Sequence, residues 1–251
     1  MRPSDARREP EQNRLLRALP PAEYNQTLPG LQDVTLSHGQ VLFETGERID
    51  HVYFPQRAVV SLLAPVVDSA GVEIAIIGNE GMVGLSVFLG TATAQSRAVS
   101  QVPDGARRLT VAAFLRALSR GVALRRIMLR YADTLLGQVA QCAACNQRHS
   151  VTQRCARWFL MAHDRVGADR FALTQEFLGQ MLDVGRPSVS LAARQLQAAG
   201  AIRYSRGHVT VTNRARLEGA ACSCYGAIVR DYARAFSADR NGRRPLRVAH
   251  G

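Results

Sequence analysis

The chain has 251 residues, 47% of them hydrophobic and 21% charged, proportions that fit a folded protein of two modest domains with a core each. No stretch approaches the roughly 20 uninterrupted apolar residues of a membrane span. The opening segment 1–14 has basic residues with no apolar run behind them, so no secretory signal is read there and a cytoplasmic location is expected. The net charge is +12, and all 32 basic residues are arginine. Residues 1–150 hold 16 Arg against 13 acidic residues and residues 151–251 hold 16 against 7, so the positive charge is concentrated C-terminally. A preference for arginine codons explains the missing lysine but not the uneven acids. A basic half of this kind concentrates polyanions, and points to nucleic acid.

In chain order, residues 1–25 are charged and proline-containing and read as a flexible arm, with one short helix around Asn13 to Leu19. From about Val34 to Leu109 come short β-rich runs separated by turns such as Glu44 to Glu47 and Asp68 to Gly71. Closely spaced short strands predict an antiparallel sandwich or roll over 26–118. The period then changes. From Val111 to about Val166 there is no proline, and Leu124, Met128, Tyr131, Leu135, Gln138, Cys142 and Cys145 form a heptad-like stripe. A seam of this kind predicts pairing with the same helix of a second copy over 119–150, leaving Ile127, Leu136 and Val139 to pack on the roll.

Residues 173–213 carry the most specific pattern. Thr174 is placed to cap a helix with Phe177, Leu178, Met181 and Leu182 inward, and Gly179 permits close approach of the next helix. Asp183 to Gly185 make a tight turn, with Gly185 suited to its backbone, and Pro187 fits the first turn of a second helix. That helix buries Val189, Ala192, Ala193 and Leu196, leaves Arg186, Ser188, Ser190 and Arg194 on a polar face, and ends at Gly200. Ile202 to Val211 alternates about Arg206-Gly207 as a β-hairpin wing. An arginine near the N-terminal end of a helix in the major groove can make two hydrogen bonds to guanine, so Arg186 is the candidate for base readout. Ser188, Ser190 and Arg194 share its face. Thr174, Gln175, Arg203, Ser205 and Arg206 suit backbone contacts that set register. A winged helix-turn-helix over 151–225 followed by a basic tail over 226–251 completes the expected domains.

This order of β-roll, long helix and winged helix-turn-helix resembles the Crp/Fnr superfamily over nearly residues 30–225. Leu173-Thr174, Gly179-Gln180, Arg186, Val189 and Leu196 fall where its helix-turn-helix pattern expects them. Gly39, Gly46-Glu47 and Gly81-Met82-Val83-Gly84-Leu85-Ser86 resemble its roll and phosphate cassette. The resemblance implies an α+β fold made of a jelly-roll or double-stranded β-helix domain, a long dimerisation helix and the winged domain. It implies a non-enzymatic transcription regulator that binds a two-fold-related site on double-stranded DNA as a homodimer, with RNA polymerase as a further candidate partner. Members that bind cyclic nucleotides hold the ribose with a Glu after the cassette glycine and the phosphate with an Arg about a turn later. Here Arg97, after Ser96, matches that Arg, whereas the Glu position falls on Leu85 and no acidic residue occurs from Gly81 to Pro103. Losing the acceptor for a buried hydroxyl costs on the order of 1 to 3 kcal/mol, so cyclic AMP is expected to bind weakly or not at all.

Five cysteines, Cys142, Cys145, Cys155, Cys222 and Cys224, argue against a disulfide framework. Cys142 and Cys145 lie in a helical pattern with no second such pair nearby, and Cys222 and Cys224 are poorly spaced for a shared zinc site, so neither metal nor cofactor is expected. A redox role for either pair is the alternative within the regulator reading. A metal enzyme built on the roll would need clustered His and carboxylate ligands, and His38 and His51 stand alone.

Overall fold

The structure, a computed structural model, describes residues 11–66 and 71–237. The turn expected at Asp68 to Gly71 therefore lies almost wholly outside the described residues, as do the tail arginines beyond Ser237. Seven strands make the N-terminal roll: β1 (Gln32–Leu36), β2 (Val41–Phe43), β3 (His51–Pro55), β4 (Val59–Ala64), β5 (Val72–Ile77), β6 (Arg97–Val102) and β7 (Asp104–Thr110). They form two antiparallel sheets, in the orders β1-β7-β3 and β2-β6-β4-β5. Leu36, Val52, Phe54 and Ala106 of the first sheet share one core with Val60, Ala98 and Val102 of the second, as the alternation of a half-buried sheet requires.

The N-terminal segment is not loose from Glu11 onward. Helices α1 (Arg14–Arg17) and α2 (Pro21–Thr27) fold onto the roll, with Leu15 and Leu16 fully buried. The buried Asn13 caps α1 by accepting from the Leu15 and Leu16 amides, while its Nδ2 donates to the carbonyls of Pro55 and Gly81. Burial of two leucines outweighs the polar composition that predicted a flexible arm.

The long helical region is three helices rather than one. After α3 (Leu85–Phe88) of the roll come α4 (Val111–Arg120), α5 (Val122–Arg148) and α6 (Val151–Val166). Gly121 separates the first two and offers no side-chain cap, and Glu23 of α2 supplies it by accepting from the Ala123 and Leu124 amides at 3.0 and 2.9 Å. His149 and Ser150 form the elbow before α6, where Ser150 and Gln153 make a capping box.

The stripe expected to pair with a second copy faces this chain instead. Tyr131 donates from its hydroxyl to the Met82 carbonyl at 2.9 Å, Gln138 donates to the Ile76 carbonyl at 3.0 Å, and Leu124, Met128, Leu135, Cys142 and Cys145 are all buried. Polar atoms within the stripe are matched by roll backbone, which an apolar-periodicity argument does not see. Of the residues assigned to the roll, Ile127 is buried but Leu136 is 68% exposed.

The remaining elements are β8 (Arg170–Ala172), α7 (Gln175–Leu182), α8 (Arg186–Ala198), β9 (Ile202–Ser205), β10 (His208–Val211), α9 (Arg214–Ala220) and α10 (Cys224–Ser237). Strands β8, β10 and β9 pair as a small sheet beside the helices. Helix α10 occupies much of the segment expected to be a basic tail, with Ile228 and Tyr232 buried as it packs along α5. Among the described residues no helix is long and apolar enough to cross a membrane.

Candidate nucleic-acid interface

The pair α7 and α8 is built as the residue pattern requires. Thr174 caps α7 by accepting from the Phe177 amide at 3.2 Å. Gly179 lies so close to the turn that a Cβ there would sit 2.9 Å from the Val184 carbonyl oxygen. The turn differs in one respect: Asp183, not Gly185, takes the left-handed backbone, with φ 50°, and Gly185 is extended at φ −62°. Asp is among the few side chains that tolerate this region. Val189, Ala192, Ala193 and Leu196 bury the inner face of α8 against α6 and α7.

The outer face of α8 carries Arg186 at its first position, then Ser188 and Arg194, all exposed. Ser190 is half-buried, and its Oγ donates to Gln175 Oε1 at 2.6 Å, so these two brace α7 against α8 rather than project outward. Leu191, 50% exposed, stands on the outer face between Ser188 and Arg194. The sequence pattern passed over it because it is apolar, although its spacing of three from both neighbours places it on their face.

The wing completes the surface. Arg206 (φ 49°) and Gly207 (φ 73°) form the two-residue turn between β9 and β10, the left-handed pair that matches strand twist in a tight hairpin. Arg203, Ser205 and Arg206 are exposed. Thr174, Gln175, Arg186, Ser205 and Arg206 line one open cleft of about 300 Å³ between the wing and the start of α8. Residues chosen for base and backbone contacts are thus neighbours in space.

The roll departs from a nucleotide site. Gly84, at φ 98°, opens the short helix α3 as a cassette glycine does, but the next residue is the half-buried Leu85, packed against the core. Ser96 and Arg97 are half-buried, and Arg97 pairs with Glu44 at 3.1 Å. It shares its face of β6 with Val99 and Gln101, which turn outward to Met181 of α7. Its guanidinium therefore does not enter the roll, whose interior holds Ile49, Val52, Val83 and Ala98. His38 binds the Gln101 carbonyl and packs at a tilt against Phe177, and His51 lies beside Tyr53.

A β-roll, a long helix and a winged helix-turn-helix with outward arginines make up the described chain. Residues 153–220 match the model of the Crp-like helix-turn-helix domain. Among solved structures, the chain is similar to FixK2 from Bradyrhizobium japonicum, with a TM-score of 0.65 and 17% identity over 76% of this chain and 98% of that one. It is also similar to TTHB099, a transcriptional regulator of the CRP family from Thermus thermophilus, with a TM-score of 0.60 and 19% identity over 75% and 96% of the two chains. The c-di-GMP responsive global regulator CLP of Xanthomonas campestris has a TM-score of 0.58 and 14% identity over 76% and 99%. No curated protein sequence matches. The chain carries a Crp-like helix-turn-helix domain over residues 153–220, within a fold that it shares with solved structures of Crp/Fnr regulators.

Proposed function

We propose that this protein binds, as a cytoplasmic homodimer, a two-fold-related sequence on double-stranded DNA, with α8 of each copy in successive major grooves. The observation that carries the reading is the outward face of Arg186, Ser188, Leu191 and Arg194 beside an arginine-bearing wing. Arg186 reads a guanine through two hydrogen bonds, Leu191 offers apolar contact to a thymine methyl, and Arg203 and Arg206 hold phosphates. Ser205 and Thr174, in the same cleft, set register.

Dimerisation uses the face of α5 opposite its buried stripe. Val122, Leu129 and Leu136 are 81%, 58% and 68% exposed and recur every seven residues, with the exposed Ala143 one repeat further. Exposed apolar side chains in line along a four-heptad helix are a seam awaiting a partner, and the small Gly137 and Ala140 beside them permit close approach. The sensor domain works without cyclic AMP, because Leu85 supplies no ribose acceptor and Arg97 is held by Glu44. Selection of bound sequences from a random duplex pool tests the reading. It should return an inverted repeat with a guanine in each half-site, and a pool without enrichment would overturn it.

A further inference from the structure

Three cysteines and one histidine from two distant segments converge where the DNA-binding domain meets the long helix. Cys145 lies in the last turn of α5, and His149 follows at the elbow, its amide donating to the Cys145 carbonyl at 3.0 Å. Cys222 comes from the passage between α9 and α10, and Cys224 opens α10. The four ligand atoms all lie within 4.8 Å of one another. Cys145 Sγ is 3.5 Å from Cys222 Sγ, and Cys224 Sγ is 3.5 Å from His149 Nδ1. Four donors tetrahedral about zinc, at about 2.3 Å for sulfur and 2.0 Å for nitrogen, are separated by roughly 3.5 to 3.8 Å. Two of the separations already match, and the rest, none above 4.8 Å, need only close slightly around an ion.

The surroundings suit an anionic metal centre. All three cysteines are buried and His149 is half-buried. Gln141 Nε2 donates to Cys224 Sγ at 3.0 Å, the kind of outer hydrogen bond that holds a metal thiolate in place. Arg154 and Arg157, on the adjoining face of α6, are buried cations, and among the described residues neither forms an ion pair. The Nε of each has no hydrogen-bond partner, and Arg157 Nη1 finds only the sulfurs of Cys142 and Met161. Two buried guanidinium groups with no carboxylate in ion-pair contact are costly. Three thiolates and a neutral imidazole on a divalent ion carry a net charge of −1, which both arginines would offset.

We propose that Cys145, His149, Cys222 and Cys224 form a closed tetrahedral site for a single zinc ion, which ties the elbow before α6 to the start of α10. Binding displaces the thiol protons of the three cysteines to solvent and leaves Nδ1 of neutral His149 as the fourth donor. Soft thiolate donors with one imidazole select zinc over magnesium or calcium, and four protein ligands leave no open position for catalysis. Ligands crowded this closely fit one ion, not a multi-iron cluster with its own bridging sulfides. The ligand pairs flank residues 153–220, so the ion clasps both ends of the DNA-binding domain. The sequence hid the site because Cys142, which made the only Cys-x-x-Cys pair, turns away to Arg157.

The test uses the full-length protein, purified under reducing conditions from zinc-supplemented cells and dialysed against a mild chelator. Elemental analysis should find about one zinc per chain. Replacing it with cobalt(II) should give thiolate-to-cobalt charge-transfer absorption and the intense d–d bands of tetrahedral coordination. Cys222→Ser should abolish both, and His149→Cys should retain metal while shifting the cobalt bands, which guards against a Cys222 variant that fails to fold. A chain that holds neither zinc nor cobalt, a native Cys145–Cys222 disulfide in their place, or zinc kept undiminished by Cys145→Ser/Cys222→Ser would overturn the proposal. None of these measurements uses DNA, so their outcome is separate from that of the regulator reading.

Discussion

Replacing Glu73 by Gln should stabilise the protein at neutral and alkaline pH, and the size of the effect follows from the surroundings of this carboxyl. Glu73 sits on β5 beneath α6, fully enclosed, accepting from Trp158 Nε1 at 3.0 Å and from the Ser61 hydroxyl. Burial pushes its pKa from 4.5 to about 7, against the opposing pull of Ser61, Trp158, Arg157 and Arg165. The folded state therefore keeps a proton that the unfolded chain gives up, and stability falls as pH rises from about 4.5 to about 7. At about 1.4 kcal/mol per tenfold, the whole displacement corresponds to roughly 3 kcal/mol. Roughly 2.5 kcal/mol of it develops between pH 5 and pH 8. A glutamine can accept from Trp158 through its carbonyl and reach Ser61 with its amide, so the substitution removes the titration and keeps the hydrogen bonds. Urea unfolding of both proteins at pH 5 and pH 8 reads the difference. If the variant's advantage is the same at both values, or if it is the less stable protein at pH 8, burial is not what governs this carboxyl.

Leu129→Glu together with Leu136→Glu places charges on the exposed stripe of α5 and leaves its buried face untouched. Sedimentation equilibrium should show a dimeric wild type and a monomeric variant, whose helical content by circular dichroism is unchanged. Leu15→Ala removes a buried side chain of the N-terminal segment and should cost about 2 to 5 kcal/mol in denaturant unfolding, whereas a loose arm would cost nothing. Calorimetric titration with cyclic AMP should give no dissociation constant in the micromolar range or tighter, and such a constant would mean that the roll supplies elsewhere the ribose acceptor that position 85 lacks.

The switch from short alternating runs to period 3.6, and the helix-turn-helix with its wing, were readable because each element there carries local punctuation. Thr174, Gly179, Gly200 and Arg206-Gly207 act on their own neighbours, and their chemistry does not depend on distant parts of the chain. The sidedness of α5 was not readable. One helix carries two apolar stripes, and what decides between them is that Tyr131 and Gln138 meet carbonyls of the roll, a long-range match invisible to periodicity. Packing of residues 11–25 depends likewise on where Pro55 and Gly81 lie. The face of α8 was legible except for Ser190 and Gln175, whose polar ends bond to each other, and Leu191, an apolar residue that the polar-face pattern left unassigned. The four clustered ligands escaped notice because they join residues on either side of a whole domain.

The central claim is that Arg186 reads a base, and it is tested most directly by fluorescence anisotropy of wild type and Arg186→Ala on the selected duplex and on a scrambled duplex at one fixed salt concentration. Loss of a bidentate base contact of about 1 to 3 kcal/mol predicts that the variant weakens roughly five- to a hundredfold on the selected duplex and far less on the scrambled one. Equal affinity of variant and wild type for the selected duplex, or an equal loss on both duplexes, would contradict it.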